Sequence, residues 1–205
     1  MKLYSVILTL ATLLCFGSCS YVFVKAYGIS HHVDNLSQTQ IEEAFEIIGI
    51  ADSESYWMDT TFVDYLLAID TTNFALFQKN NYQPLQFKAF NNEGKLVSHL
   101  ANCYAGGFPN LNWDWMFTEF PPAVNDQLFH SLLTFSEAKK FFKPLTNAER
   151  VIPEKPYSVV VIWTDAFGRQ NKRFIEKVKE FRSTHQDKSN YYFVNFDNII
   201  HQMSK

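Results

Sequence analysis

Apolar positions near the C-terminus switch between strand-like and helix-like spacing. Residues 157–163 form a continuous, largely β-branched apolar run, which is typical of a buried strand. Residues 169–182 place four apolar side chains on one helical face: Phe174, Ile175, Val178 and Phe181. Residues 191–196 are strand-like again. A strand, a crossover helix and a second strand predict a βαβ unit with parallel strands.

Earlier segments predict a hairpin and further helices. Two strand-like runs, 85–90 and 96–102, flank an Asn- and Gly-bearing loop, which predicts a β-hairpin. Helical spacing predicts helices at 39–48, 60–69 and 126–142. In the first of these helices, Thr39 and Glu42 have capping-box spacing and Gly49 is a stop signal. Glycines and prolines make 106–122 irregular, and residues 143–144 and 153–156 bound a predicted linker.

These elements predict one mixed α/β (α+β) domain over residues 36–205. Its sheet contains the hairpin and the βαβ unit, and helices pack on it. The composition agrees, because 47% hydrophobic and 19% charged residues suit a packed core. A net charge of −3 offers no basic face for nucleic acid. Aromatic residues reach 17% of the chain, which indicates either an aromatic core or an aromatic binding surface.

The N-terminus has the pattern of an export signal. Lys2 precedes an apolar run over 3–16, and then Gly17, Ser18 and Cys19 follow. This resembles a bacterial lipoprotein signal with its lipobox, although Phe16 stands where Leu is commonest. The resemblance implies a signal peptide over 1–18, a lipid on Cys19, a tether over 19–35 and a location in the bacterial cell envelope. The alternative is an uncleaved inner-membrane anchor, since 3–24 is long enough to span a bilayer.

The start of the predicted C-terminal helix resembles the active-site turn of the thioredoxin fold. Trp163 and Gly168 match that family's Trp and the Gly of its Cys-Gly-Pro-Cys motif. Phe167 and Gln170 stand at the two cysteine positions, and Arg169 replaces the proline. Dithiol exchange at this turn is excluded, because it needs an activated thiolate and a resolving thiol. The resemblance therefore implies a binding platform, with Pro84, Phe167, Arg169 and Gln170 as contact candidates.

The same resemblance implies a rearranged order of elements. In thioredoxins a cis-proline and a hairpin follow the βαβ unit, whereas here a Pro-led hairpin begins at Pro84, before that unit. A circularly permuted thioredoxin-like sheet would contain this hairpin and would have a cis Pro84 facing the turn at 167–170. The alternative is a generic α/β domain that has Trp163 and Gly168 by coincidence.

Two other segments carry candidate chemistry. Cys103 is the one thiol beyond the leader, with His99 as the nearest base, although a buried inert thiol is the favoured interpretation. The irregular region also holds a dense apolar group, Trp113, Trp115, Met116 and Phe117. This group is either a lid on the sheet or a recognition loop, since Trp and Met anchor protein interfaces and Trp also stacks on sugars. No metal or cofactor motif is present in the sequence.

Three functions follow from these candidates. The leading hypothesis is a non-catalytic, lipid-anchored binding or accessory subunit with a protein partner in the envelope. The second is an envelope thiol or redox enzyme that uses Cys103. The third is a carbohydrate- or peptidoglycan-binding module that uses Trp113 and Trp115.

Overall fold

A six-stranded mixed sheet organises the fold. We analysed a computed structural model, which describes residues 29–30, 33–107, 110–122, 133–146 and 152–204. The strands are β1 (Ser55–Met58), β2 (Gln86–Asn91), β3 (Leu96–Ala101), β4 (Phe142–Pro144), β5 (Tyr157–Trp163) and β6 (Ser189–Asn195). Their order is β3-β2-β5-β6-β1-β4. Strands β5, β6 and β1 are parallel, whereas β2, β3 and β4 pair in the antiparallel sense.

Helices cover both faces of this sheet. The described residues form α1 (Gln38–Ile48), α2 (Thr61–Leu67), α3 (Thr71–Asn81), α4 (Asn102–Ala105), α5 (Phe135–Lys139), α6 (Gly168–Ser183) and α7 (Asp197–Met203). Apolar side chains of α1 and α6 pack on one face, called face A. Those of α2, α3, α5 and α7 pack on the other, called face B. None of the helices that the structure describes is long and apolar enough to cross a membrane.

The mixed α/β class predicted from the sequence is confirmed. Strand β5, helix α6 and strand β6 form the predicted βαβ unit, and β5 and β6 are parallel neighbours. The predicted hairpin is β2–β3, and its first strand pairs with β5 in the same sheet. Aromatic side chains account for most of the largest fully buried residues, among them Trp163, Phe45 and Phe174. Much of the aromatic content therefore fills the core.

Some boundaries differ from the prediction. The capping box of α1 is formed by Ser37 and Gln40, not by Thr39 and Glu42, whereas Gly49 ends the helix as predicted, with φ of +62°. Residues 143–144, one predicted boundary of the linker, belong to strand β4, which pairs with β1. Most of the predicted linker lies outside the described residues. The predicted helical region 126–142 falls partly outside the described residues, and its described part contains α5.

The prediction that Pro84, at the start of the hairpin, is a cis-proline is wrong. Among the described residues the one cis peptide bond lies between Phe120 and Pro121, so Pro84 follows a trans bond. The hairpin does join the sheet that holds β5, as a permuted thioredoxin-like arrangement requires. However, that arrangement also requires a cis Pro84. The trans bond before Pro84 therefore contradicts the circularly permuted thioredoxin-like arrangement, and what the structure shows is a hairpin and a βαβ unit in one mixed sheet.

Candidate functional site

Most of the apolar segment around Trp113 is buried on face A. Trp113, Met116 and Phe117 belong to the face A core. The Trp113 ring lies 4.5 Å from that of Phe174, and the Phe117 ring lies 5.1 Å from that of Phe181, both on α6. These three side chains fill the space between the sheet and α6. The structure thus corrects the prediction that they are contact residues, and it places them as a lid. Trp113 and Trp115 do not form a shared stacking platform for sugars.

Trp115 is the exception in this segment. Its side chain is 53% exposed, whereas the side chains of Trp113 and Met116 are buried. The indole Nε1 donates a hydrogen bond of 3.2 Å to the carbonyl oxygen of Ala105 in α4. Asp114 pairs with Lys177 of α6 at 3.1 Å. We call the exposed pair Asp114 and Trp115 the Trp115 surface. Its aromatic ring is both accessible and held in one orientation.

Gln170 holds the segment around Trp113 against the start of α6. This residue is fully buried at the start of α6, and its Oε1 accepts a hydrogen bond of 3.1 Å from the backbone N–H of Leu111. The proposed contact role of Gln170 is thus wrong, because its amide faces the interior. Phe167 packs partly buried against face A, and Arg169 is exposed. Of the three candidates from this turn, Arg169 is the accessible one.

Cys103 does not have the environment of a reactive thiol. It lies on α4, not on a strand, and it is exposed, which corrects the interpretation of a buried thiol. Partial desolvation raises the pKa of the Cys103 thiol, and Lys79 opposes that effect. His99 is buried, and its ring Nε2 atom lies 3.0 Å from Gln86 Oε1. A thiol with a raised pKa is mostly protonated at neutral pH, so this environment does not favour the thiolate that nucleophilic catalysis needs.

The buried carboxylate of Asp197 lies at the carboxyl ends of β5 and β6 and binds residues from both. Asp197 accepts hydrogen bonds from Asn195 Nδ2 at 2.6 Å, from the N–H groups of Asp165 and Ala166 at 3.2 and 3.3 Å, and from the Thr164 hydroxyl. Partial desolvation and the neighbouring Asp197 carboxylate raise the pKa of Asp165. Sequence reasoning missed this network, whose members come from two strand ends. It fixes the turn that leads into α6.

A second polar network that the sequence reasoning missed lies on face B. Lys88 of β2 is 7% exposed, and its Nζ donates to Asn81 Oδ1 of α3 at 2.6 Å. Its cross-strand neighbour is the buried His99. Burial lowers the pKa of Lys88 to about 7. A lysine between Phe87 and Ala89 suggests a solvent-facing position, and only the covering helix α3 reveals that it is buried.

The predicted lipid site, Cys19, lies outside the described residues. The described end of the predicted tether lies against α7. His201 Nδ1 is 2.6 Å from the carbonyl oxygen of Val33, and the Asn198 amide bonds both backbone groups of Leu36 at 2.7 and 3.0 Å. The chain between residue 33 and α1 is thus fixed to the C-terminal helix.

No protein-family model, curated protein or solved structure matches the chain. Among the residues that the structure describes, no three His, Cys, Asp or Glu side chains gather into a group that could hold a metal ion.

Proposed function

We propose that this protein is a lipid-anchored component of the bacterial cell envelope that acts as a non-catalytic binding or accessory subunit. The anchor is supported by the apolar run that ends in Gly17, Ser18 and Cys19. Acyl chains on Cys19 would hold the domain at the membrane, since each buried methylene contributes about 0.8 kcal/mol. The partner is another envelope protein.

The exposed ring of Trp115 is the observation that carries the binding role. Tryptophan is over-represented among the residues that dominate the free energy of protein association. A ring already fixed by its bond to Ala105 loses little conformational entropy when a partner covers it. The buried side chains of Trp113, Met116 and Phe117 support the loop from below. Asp114 adds a charge beside the ring.

Replacing Trp115 with alanine should remove partner binding without unfolding the protein. We expect crosslinking in intact membranes, followed by purification and mass spectrometry, to recover a stoichiometric partner with the wild-type chain. Trp115→Ala should reduce the recovered partner at least about tenfold, because an interface tryptophan is commonly worth 2 kcal/mol or more.

Leu67→Ala is the matched control. Leu67 is also an exposed apolar side chain, at 65%, but it lies on α2 over face B. It should leave the recovered partner unchanged. If the wild-type protein is recovered alone, or if both variants retain the same partner in full, the Trp115 surface is not a protein-binding site.

A further inference from the structure

The chain enters the described domain at the carboxyl ends of β5 and β6. The backbone N–H of Ser30 donates to the carbonyl oxygen of Ala166, which follows β5, at 2.8 Å. The backbone groups of Val33 and Leu36 are bonded to side chains of α7, which follows β6. Because β5 and β6 are parallel neighbours, both attachments lie at the same end of the sheet, which we call the entry end.

The Trp115 surface lies at the entry end as well. Strand β2 pairs with β3 on one side and with β5 on the other, and Gln86 of β2 is the register partner of both Ala101 and Ile162. The carboxyl ends of β3 and β5 are therefore level with each other across the sheet. Helix α4 continues directly from β3, and the carbonyl oxygen of Ala105 in this helix holds the indole of Trp115. The exposed ring and the entry of the chain thus share one end of the domain.

The segment between the proposed lipid site and the entry end is short. Eleven residues, 20 to 30, follow Cys19 up to and including Ser30. A chain of that length spans at most about 40 Å when it is fully extended. Strand β5 has seven residues, so the opposite end of the sheet lies about 23 Å from the entry end. With a lipid on Cys19 in the membrane, the entry end is the part of the domain held nearest to the bilayer.

We propose that the Trp115 surface faces the membrane that holds the lipid anchor, and that its partner is an integral protein of that same membrane. This inference rests on the proposed function and names the class of partner for it. A lipid on Cys19 and a membrane-spanning partner confine both proteins to one surface, which raises their effective concentration without any additional contact. A soluble partner lacks this advantage and would have to enter a gap of at most about 40 Å between the domain and the bilayer.

Energy transfer from the domain to the lipid surface tests the orientation. Cys103 is an exposed thiol on α4, at the entry end, and it is the one thiol left when Cys19 carries a lipid and residues 1–18 are removed. The lipidated chain, labelled with a donor dye on Cys103, is reconstituted into phosphatidylcholine vesicles that contain acceptor-labelled headgroups. We expect efficient transfer from this position.

The matched control is a chain with Cys103→Ser and Glu93→Cys, labelled in the same way. Glu93 is 62% exposed, and it lies in the hairpin loop at the opposite end of the sheet, where Asn91 pairs with Tyr157. Transfer from this position should be at least about twofold lower, because the loop lies about 23 Å further from the entry end. Equal or higher transfer from position 93 would overturn the proposed orientation.

Extraction of the crosslinked partner tests its class. We expect the partner recovered with the wild-type chain to stay in the membrane fraction after alkaline carbonate treatment, which releases proteins that are not inserted in the bilayer. Recovery of this partner should fall at least about tenfold with Trp115→Ala and should be unchanged with Leu67→Ala. A partner that depends on Trp115 but is released by carbonate would overturn the inference and leave the binding role intact.

Two further results would contradict the inference. Quenching of tryptophan fluorescence by bromine-labelled lipid in the same vesicles, absent in Trp115→Phe, would make the bilayer itself the occupant of the Trp115 surface. A wild-type chain that has no lipid on Cys19, or that is recovered without any partner, would overturn the proposed function and this inference with it.

Discussion

Replacing Asp197 with alanine is expected to lower the free energy of unfolding by about 3 to 5 kcal/mol, because it removes the acceptor of at least two buried donors, at about 1 to 3 kcal/mol for each. The carboxylate is 1% exposed and accepts from Asn195, Asp165, Ala166 and Thr164. Its removal leaves the Asn195 amide and the Thr164 hydroxyl buried without this acceptor, and each such group carries its own desolvation cost. The Ala166 N–H keeps the Thr164 hydroxyl oxygen as an acceptor at 3.1 Å. The turn between β5 and α6 loses the contacts that hold it.

Guanidinium unfolding followed by tryptophan fluorescence measures this loss. Asp187→Ala is the matched control, because Asp187 is exposed between α6 and β6. That substitution should change the free energy of unfolding by less than about 0.5 kcal/mol. A similarly small effect of Asp197→Ala would show that the network does not stabilise the fold.

Replacing Lys88 with methionine is expected to stabilise the protein near neutral pH and to change its pH dependence. Burial lowers the Lys88 pKa to about 7 in the folded state, whereas the unfolded lysine has a value of 10.5. Between these two values the unfolded chain binds a proton that the folded chain does not. The free energy of unfolding of the wild type therefore rises with pH across this window. Below it, the penalty for burying the charged amine is complete, on the order of 5 kcal/mol.

Methionine removes that penalty but leaves Asn81 Oδ1 without its donor, which costs about 1 to 3 kcal/mol. We therefore expect a net gain of roughly 2 to 4 kcal/mol at pH 6, and a smaller rise in stability from pH 7 to 10 than in the wild type. Lys188→Met, at an exposed lysine, should show neither effect. A Lys88→Met variant that is less stable at pH 6, or that keeps the wild-type rise, would show that Lys88 is not buried as a costly cation.

The strongest periodic patterns predicted their elements closely. The apolar run of β5 and the amphipathic face of α6 each depend on local sequence, and both lie within one or two residues of the predicted bounds. The β2–β3 hairpin follows from its Asn- and Gly-bearing loop in the same way. Gly49 ends α1 because the position needs a positive φ, which a glycine adopts without strain.

The missed elements lack such signals. Strands β1 and β4 have four and three residues, too few to establish a period, and they are defined by pairing with each other and with β6. Helix α3 is rich in Thr and Asn and has a weak amphipathic pattern, and its start is fixed by the side chain of Asp70, which accepts from Thr72 N–H at 2.9 Å. Because the sequence does not predict α3, it gives no sign that Lys88 is buried.

The candidate site likewise has a part that the sequence predicts and a part that only the tertiary structure defines. The sequence identified the apolar segment around Trp113 but could not separate a lid from a recognition loop. Gln170 and the α6 aromatic rings decide the matter, because they bury Trp113, Met116 and Phe117 and leave Trp115 outside. The ion pair between Lys143 and Asp59 joins residues more than 80 positions apart. Such pairs are joined by β1–β4 pairing and not by any local motif.

The membrane anchor is the basis of the proposed role, and mass spectrometry of the mature N-terminus tests it most directly. The protein should be extracted from bacterial membranes without a tag at its N-terminus, beside a Cys19→Ala variant. The account predicts that the wild-type chain begins at Cys19 and carries the mass of diacylglycerol on that residue, and that the variant is neither lipidated nor cleaved before residue 19. A wild-type chain that retains residues 1–18 with a free Cys19 thiol would contradict the lipid anchor and would support the uncleaved membrane anchor instead.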